Sequence, residues 1–164
     1  MIEFLIGLSS LGYPGIFFAS LLGSASVIFP MPTFIIIFTS GAIFNPLLVG
    51  IIAGIGSAIG ELVSYGIGFG GRKLLGKRIR IKERKWLSRG KKWLRSYGGF
   101  FLVFVFAATP LPDDVIGIIC GSIRYDIKKF FVACMLGKVL LSLILAYGGY
   151  YGLNWILSLF GLGL

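Results

Sequence analysis

Hydrophobic residues fill most of the chain in five long segments, with charged residues between them. Counted between charges, the segments cover about 4–22, 23–44, 46–71, 98–123 and 130–152. A simple transmembrane helix needs about 20 apolar residues to cross a hydrocarbon layer of about 30 Å. The segment at 46–71 meets this requirement and runs directly into a basic region, so we predict that it crosses from outside to inside.

The segment at 98–123 does not fit a simple span, because its middle is polar. At that place stand Pro110, Pro112, Asp113 and Asp114. As one helix, it would put both carboxylates at the bilayer centre, where each costs about 2.5–3.5 kcal/mol of free energy. It would also carry Arg124 to the outside, against the positive-inside rule. A hairpin of two arms, each about 17 Å long, that turns at the Pro-x-Pro and returns to the cytoplasm avoids both. We therefore predict a re-entrant hairpin here.

The same pattern occurs twice in the chain. Pro30, Met31, Pro32 and Gly41 recur 80 residues later as Pro110, Leu111, Pro112 and Gly121. Flanking motifs recur at offsets of 84 and 82: Tyr13, Gly15, Phe17 with Tyr97, Gly99, Phe101, and Tyr65, Gly66, Gly70 with Tyr147, Gly148, Gly152. Related halves built around prolines in apolar sequence are typical of transporters with inverted repeats.

These observations predict an all-α integral membrane protein with a single domain. It would be an inverted repeat of two re-entrant helical hairpins, each followed by a transmembrane helix, with a basic interfacial helix between the halves. The expected boundaries are repeat 1 at about 12–71, the linker at 72–97, repeat 2 at about 97–152 and a tail at 153–164. The glycines at Gly41, Gly60 and Gly121 are expected to serve close helix packing, and Gly41 and Gly121 are also candidate hinges.

Composition supports a place in the membrane and fixes its orientation. The chain is 57% hydrophobic with a mean hydropathy of +0.94, and 12 of its 16 Lys and Arg residues lie between Arg72 and Arg95. By the positive-inside rule, the linker is cytoplasmic, and we expect the N-terminus on the same side. We expect the membrane to be the plasma membrane. Trp86 and Trp93 lie on one helical face and are expected to meet lipid headgroups, as is Arg124. A solvated loop is the alternative; nucleic-acid binding is not expected.

Four ionisable residues remain within the hydrophobic depth: Glu61, Asp113, Asp114 and Lys138. Glu61, Asp113 and Lys138 each stand roughly 14–17 Å from the cytoplasmic boundary if helical, so they converge on one plane. Such residues usually mark a substrate or proton path. An inert salt bridge between Glu61 and Lys138 is the alternative.

The turns of the hairpins add a second element to this plane. The returning arms are expected to begin at Thr33 and Asp113, which are good N-cap residues after proline. Two helix N-termini would then favour an anion such as a phosphate headgroup, with Lys138 as its partner, and protonation of the aspartates would accompany its movement.

At these residues the sequence resembles the DedA family, also called the SNARE-associated or VTT-domain superfamily, over about residues 12–152. The stretches that carry the resemblance are FPMPTFIIIFTSGAIF, GELVSYGIG and ATPLPDDVIGIICGSI. The bacterial form has Glu where this chain has Ala25 and Phe34, and Arg where it has Ala107 and Asp113. The Pro-Leu-Pro-Asp-Asp form is more similar to the archaeal branch.

The resemblance implies movement of lipids between leaflets. We therefore expect a scramblase or flippase for phospholipid or polyprenyl-phosphate headgroups, proton-coupled in one version, with membrane lipids and protons as partners. The alternatives are a proton- or cation-coupled transporter of a small solute and a non-catalytic membrane organiser. No soluble-enzyme motif, cofactor or metal ligand set is found in the sequence. The oligomeric state stays open, a homo-oligomer included.

Overall fold

The computed structural model describes residues 11–25, 31–75, 98–111 and 113–159. These ranges contain six helices and no β-strand: α1 (Tyr13–Ala25), α2 (Met31–Ile43), α3 (Pro46–Leu75), α4 (Gly99–Ala107), α5 (Asp113–Ser122) and α6 (Ile127–Leu159). The predicted all-α class is confirmed. Several predicted features lie outside the described residues: Pro30, Pro112, Trp86, Trp93, Tyr97, the first ten residues and most of the basic linker, together with the side chains of Pro32 and Asp113.

The two long helices α3 and α6 form the centre of the fold and share its largest helix–helix contact. They run antiparallel, since Gly50 lies against Leu143 and Gly54 against Val139. Each contains a 26-residue apolar stretch that is long enough to cross a membrane, Pro46–Gly71 and Ile127–Gly152. Both helices continue past the predicted ends, to Leu75 and Leu159. α3 continues beyond its apolar run because Arg, Lys and Leu, which follow Gly71, are good helix formers.

Both long helices begin at a capping side chain. Asn45 Oδ1 accepts hydrogen bonds from the backbone N–H groups two and three residues further on, at 3.0 and 3.4 Å. Asp126 Oδ1 does the same at 2.9 and 3.1 Å. These caps satisfy N–H groups that the first helical turn leaves open. Because Asp126 caps α6, that helix begins at Ile127, three residues before the predicted start of its segment.

The four short helices have 9 to 13 residues, so they measure about 14–20 Å and cannot cross a hydrocarbon layer of about 30 Å. α1 and α2 are antiparallel: the rings of Tyr13 and Phe44 lie 5.5 Å apart at one end, and Gly23 lies against Thr33 at the other. α4 and α5 are separated by a break that contains Pro110, as predicted. At 9 and 10 residues, the two helices are shorter than the predicted arms.

Contacts between helices in the first half recur in the second half. In each contact, a glycine lies against the backbone carbonyl of a neighbouring helix. The contact of Gly41 with Ala146 matches that of Gly121 with Tyr65. Likewise, Gly149 with Phe38 matches Gly68 with Ile118, and Gly56 with Phe17 matches Gly137 with Phe104. Equivalent residues of the two halves are 80 positions apart where they lie on α2 and α5, 81 apart on α3 and α6, and 87 apart on α1 and α4. Asn45 and Asp126 are also 81 apart.

This register corrects two of the sequence-based offsets, from 82 to 81 and from 84 to 87. The offset of 82 aligned Tyr65 with Tyr147, but Tyr65 is buried and Tyr147 is 36% exposed. A shift of one residue turns a helix by about 100°, so residues of the same type can point to different faces. In the register that the contacts give, the counterpart of Tyr65 in the second half is Ala146.

Large apolar side chains cover much of the outer surface that the described residues form. Large side chains such as Ile35, Phe101, Ile144 and Tyr151 are each more than half exposed, as expected of helices that face lipid. Inside, Cys120 and Cys134 are buried in one apolar cluster with Phe130 and Val103.

Candidate functional site

A cavity lies where α1, α2 and the turn after α4 meet the middle of α3 and α6. The space between the atoms that line it, including the part that is open to the surroundings, is about 400 Å³. Five hydroxyls and one ammonium form its polar wall: Ser24, Thr33, Ser57, Thr109, Ser142 and Lys138. Its apolar wall consists of Phe34, Ile37, Leu111, Leu141 and Leu145. No carboxylate belongs to the described part of this wall, so hydroxyl donors and one cation give it the character of an anion site.

Lys138 on α6 forms an ion pair with Glu61 on α3. The Nζ to Oε2 distance is 3.6 Å, and the side chains are 11% and 2% exposed. Of the two, only Lys138 lines the cavity. A lone buried charge is costly in a low-dielectric interior, so the carboxylate stabilises the ammonium and holds it at the cavity wall. The structure thus brings Glu61 and Lys138 together, whereas the side chain of Asp113, which was predicted to share their plane, lies outside the described residues.

Asp114 lies on the other side of α3, at the interface with α5. Its Oδ1 accepts a hydrogen bond of 2.5 Å from the Ser64 hydroxyl, and both side chains are buried. Gly117, one turn further along α5, is in close contact with the same region: a Cβ placed there would lie 2.9 Å from Ser64 Cβ and 3.1 Å from Glu61 Oε1. Asp114 and Glu61 thus share one tightly packed interface, and Asp114 does not line the cavity.

Thr33 was expected to be the first residue of its arm, but α2 begins two residues earlier at Met31. Proline is tolerated in the first helical turn, because the N–H that it lacks has no intrahelical partner there, so Pro32 does not delay the helix. Thr33 lies inside that turn, buried and against Gly23. Its Oγ1 has no hydrogen-bond partner among the described residues. α5 begins at Asp113, as expected.

The chain turns sharply after α5. Arg124 has a positive φ of 56°, and the N–H groups of Arg124 and Tyr125 bond back to carbonyls in the last turn of α5. The Arg124 guanidinium lies 5.4 Å from the ring centre of Phe69, and the Tyr65 hydroxyl donates to the Tyr125 carbonyl at 2.5 Å. Both contacts tie the end of α5 to α3.

The next residue, Asp126, is exposed at the start of α6. The backbone N–H groups of Lys129 and Lys128, with the charges of those lysines, lower the pKa of this carboxyl. A hydrogen bond to the ionised form always favours that form.

Comparison with known proteins identifies the family. The VTT domain matches residues 29–151, which contain α2 to most of α6. The chain belongs to the VTT domain family. The resemblance to the DedA and SNARE-associated family is thereby confirmed.

Relatives of this VTT domain protein occur in archaea and plants. An uncharacterized protein of Methanocaldococcus jannaschii is 29% identical over 143 residues, which is 84% of each chain. The vacuole membrane proteins KMS2 and KMS1 of Arabidopsis thaliana are 29% and 32% identical over 124 and 112 residues, 65% and 58% of this chain. The chain spans only 30% and 27% of the length of these plant proteins. No solved structure matches the chain.

The predicted glycines of the VTT domain all lie at close helix contacts. A side chain at Gly41 would overlap the backbone of Ala146, and one at Gly121 would overlap the backbone of Tyr65. Gly60 lies against the Leu21 carbonyl. The packing role that was predicted for these glycines is seen at each position.

Sequence reasoning singled out Thr33 but missed the other four hydroxyls of the VTT domain site, those of Ser24, Ser57, Thr109 and Ser142. In the register of the contacts, Ser57 is the counterpart of Lys138, and Ser142 is the counterpart of Glu61, each 81 positions away. Both serines line the cavity. The correct offset would have pointed to them, because it places a polar residue opposite each central charge.

Proposed function

We propose that this protein moves lipids with phosphate headgroups, phospholipids or polyprenyl phosphates, between the leaflets of the plasma membrane. The observation that carries the proposal is the cavity at the middle of the long helices, whose polar wall combines five hydroxyls with the ammonium of Lys138. A phosphate needs several hydrogen-bond donors and a compensating charge, and this wall offers both. The apolar wall and the lipid-facing surface beside it suit acyl chains.

The membrane arrangement that we propose has two re-entrant hairpins, α1 with α2 and α4 with α5, in an inverted repeat around α3 and α6. Three observations support it. The short helices cannot cross the hydrocarbon layer alone, the contacts of the two halves repeat in one register, and α3 is antiparallel to α6. The basic segment after α3 places that end in the cytoplasm by the positive-inside rule.

Tyr13 and Phe44 share the end of the structure at which α3 begins, so the first hairpin would open to the outside. The N-terminal residues that precede it, predicted to be cytoplasmic, lie outside the described residues.

Within the site we assign distinct tasks to the polar groups. Lys138 supplies the point charge for the phosphate, and the Thr33 hydroxyl, buried and without a partner among the described residues, supplies a donor. Glu61 holds Lys138 in place and can take up a proton when the phosphate arrives, as can Asp114 and Asp113. Arg124, Trp86 and Trp93 would meet headgroups at the cytoplasmic surface. We propose transport rather than enzymatic chemistry, without a cofactor, in a monomer or a homo-oligomer.

A second candidate is a proton- or cation-coupled transporter of a small solute. It is favoured by one observation: Glu61 and Asp114 are both buried at the interface of α3 and α5, away from the cavity wall. A buried carboxylate is a suitable site for a coupling proton. A membrane organiser without transport would need only the ion pair.

The test uses the purified protein in liposomes that contain a phospholipid with a fluorescent headgroup. Dithionite reduces only the outer leaflet, so we expect loss of more than half of the fluorescence if the protein moves lipid. Lys138→Met should abolish the extra loss, whereas Lys129→Met, an exposed lysine on the same helix, should not. Reduction that stops at half with the wild-type protein would contradict the proposal.

The hairpin topology is tested separately by labelling single cysteines in a background that lacks Cys120 and Cys134. Positions 97 and 124 should react from the same side of the membrane, although 26 residues separate them. Labelling from opposite sides would show that residues 98–123 form a simple span.

A further inference from the structure

One exposed stripe along α6 changes its chemistry after Ile144. Its positions follow one another at steps of three or four, so neighbouring members lie one above the next on the helix surface. The first part of the stripe is aliphatic and the second part is aromatic: Leu136, Leu140 and Ile144, then Tyr147, Tyr151 and Trp155. All six side chains are between 36% and 66% exposed. Such a change along one exposed face is expected where the surroundings change from hydrocarbon to lipid headgroups.

The aromatic residues after Ile144 form one group, which we call the aromatic end of α6. It contains Tyr147, Tyr150, Tyr151 and Trp155. The ring centres of Tyr147 and Tyr151 lie 6.1 Å apart in a stacked arrangement, and those of Tyr150 and Tyr151 lie 5.3 Å apart, edge to face. Tyr and Trp combine a large apolar ring with one polar group, and they are enriched where a membrane meets water. No charged residue follows Lys138 in the sequence, so only uncharged side chains can mark this end of the helix.

The opposite end of α6 is marked by charge. Asp126, Lys128 and Lys129 are all exposed there. Ile127 and Tyr147 are 20 positions apart in one continuous helix, which corresponds to about 30 Å at about 1.5 Å per residue. This length equals the thickness of a typical hydrocarbon layer. The charged turn and the aromatic end therefore stand one hydrocarbon thickness apart.

The antiparallel helix α3 places a boundary at the same level. Gly50 lies against Leu143, and continuing this register by four residues brings Pro46, the first residue of α3, level with Tyr147. The residue before it, Asn45, is exposed and caps α3 with its side chain. A polar cap and the beginning of a long helix thus lie at the level at which the aromatic end of α6 begins.

From these observations we propose that the aromatic end of α6 lies in the headgroup layer of the outer leaflet and binds phospholipid headgroups there. The outer side follows from the proposed membrane orientation, whereas the contact with headgroups does not depend on lipid transport. In this position the rings pack on the upper parts of acyl chains and the tyrosine hydroxyls reach polar headgroup atoms. The two boundaries put Lys138 about 16 Å from the charged turn and about 14 Å from the aromatic end, so the cavity that it lines lies near the middle of the bilayer.

The experiment measures the depth of Trp155 by fluorescence in the full-length protein, reconstituted in phosphatidylcholine liposomes. Trp86→Phe and Trp93→Phe leave Trp155 as the only tryptophan. One series of liposomes carries a nitroxide quencher on the headgroup, and another carries it near the end of an acyl chain. Acrylamide quenches from the water. The control protein has Trp155→Phe and Leu136→Trp in addition, which moves the tryptophan to an aliphatic position of the same stripe.

We expect the headgroup quencher to act on Trp155 at least about twice as strongly as the acyl-chain quencher. For a tryptophan at position 136 the order should be reversed, because this position is about 14 Å from the charged turn and thus near the bilayer centre. If the proteins without Trp86 and Trp93 fail to fold, spin labels at positions 151 and 140, in a background without Cys120 and Cys134, give the same comparison. The label at 151 should be the more accessible of the two to a water-soluble nickel chelate, and the label at 140 the more accessible to oxygen.

Three results would overturn the proposal. Stronger quenching of Trp155 by the acyl-chain quencher would mean that the aromatic end lies in the hydrocarbon layer. Quenching by acrylamide with no effect of either lipid would mean that α6 extends into water. Protection from all three quenchers would mean that another protein surface, such as a second copy of this chain, covers the aromatic end. The lipid assay on the wild-type protein is a separate readout: the expected quenching without lipid movement refutes the lipid function alone, whereas lipid movement with any of these three results refutes the headgroup contact alone.

Discussion

Removing one member of the ion pair between Lys138 and Glu61 should destabilise the protein strongly. Lys138→Met keeps an unbranched side chain but removes the charge that faces a carboxylate only 2% exposed. Breaking a buried pair from one side costs about 3–5 kcal/mol, because a charge stays in the interior without compensation. Glu61→Gln should have a cost of similar size. The double variant should be close to the wild type, since neutral residues in place of a buried pair are often neutral or stabilising.

Exchanging the two charges separates stability from transport. Glu61→Lys with Lys138→Glu keeps an ion pair between α3 and α6, so we expect much of the lost stability to return. The exchange also puts a carboxylate into the cavity wall, because position 138 lines the cavity and position 61 does not. A carboxylate repels a phosphate, so lipid movement should stay absent in the exchanged protein.

Thermal unfolding in detergent and the labelled-lipid assay measure the two effects in the same preparations. Stability that recovers while transport stays lost is the expected result. Full lipid movement by the exchanged protein would show that the pair is only a structural lock and that Lys138 does not meet the headgroup. The assignment of the cavity as the headgroup site would then be wrong.

Two further predictions concern the packing and the caps. Gly121→Ala would force a methyl group onto the Tyr65 carbonyl and should cost about 1–3 kcal/mol, whereas Gly66→Ala meets no atom within 4 Å and should stabilise the helix by up to about 1 kcal/mol; chemical or thermal unfolding of both variants tests this. The carboxyl of Asp126 has a lowered pKa in the folded protein, so its cap stabilises above the unfolded pKa of about 3.9 and is lost as the pH falls through the folded value. Asp126→Ala should therefore lower Tm at neutral pH but not in strong acid, and equal losses at both pH values would contradict the cap.

Much of the fold could be predicted from local sequence. Proline beyond the first helical turn interrupts a helix in a membrane as it does in water, so the break between α4 and α5 follows from Pro110 and its neighbours. The spans at 46–71 and 130–152 follow from length and hydropathy, and Glu61 and Lys138 stand out because ionisable residues are rare in such segments. These features depend on residue type and position along the chain alone.

The side-chain neighbours could not be predicted in the same way, because they depend on how each helix is rotated. Ser64 and Ser57 lie on the same helix, yet one bonds to Asp114 and the other lines the cavity. A sequence with small hydroxyl residues throughout does not show which of them meet. The tyrosine motif also gave an offset one residue too large, which would have rotated α6 by about 100° relative to α3.

The repeat register itself predicts where the charge pair could be moved. Glu61 corresponds to Ser142, and Lys138 corresponds to Ser57, so the pair formed by positions 61 and 138 corresponds to the pair formed by 142 and 57. If the two halves are related as their contacts indicate, a variant with serine at 61 and 138, glutamate at 142 and lysine at 57 should form an ion pair of similar length.

This relocated pair should be detectable as a coupling between the two charges. Relative to the variant with serine at all four positions, the two new charges together should leave the stability nearly unchanged, whereas Ser57→Lys or Ser142→Glu alone in that background should destabilise the protein by about 3–5 kcal/mol. A double-mutant cycle in thermal unfolding measures the coupling between the two charges, which should offset the two single losses together, about 6–10 kcal/mol. Additive losses from the two charges would mean that the repeat does not extend to the middle of α3 and α6.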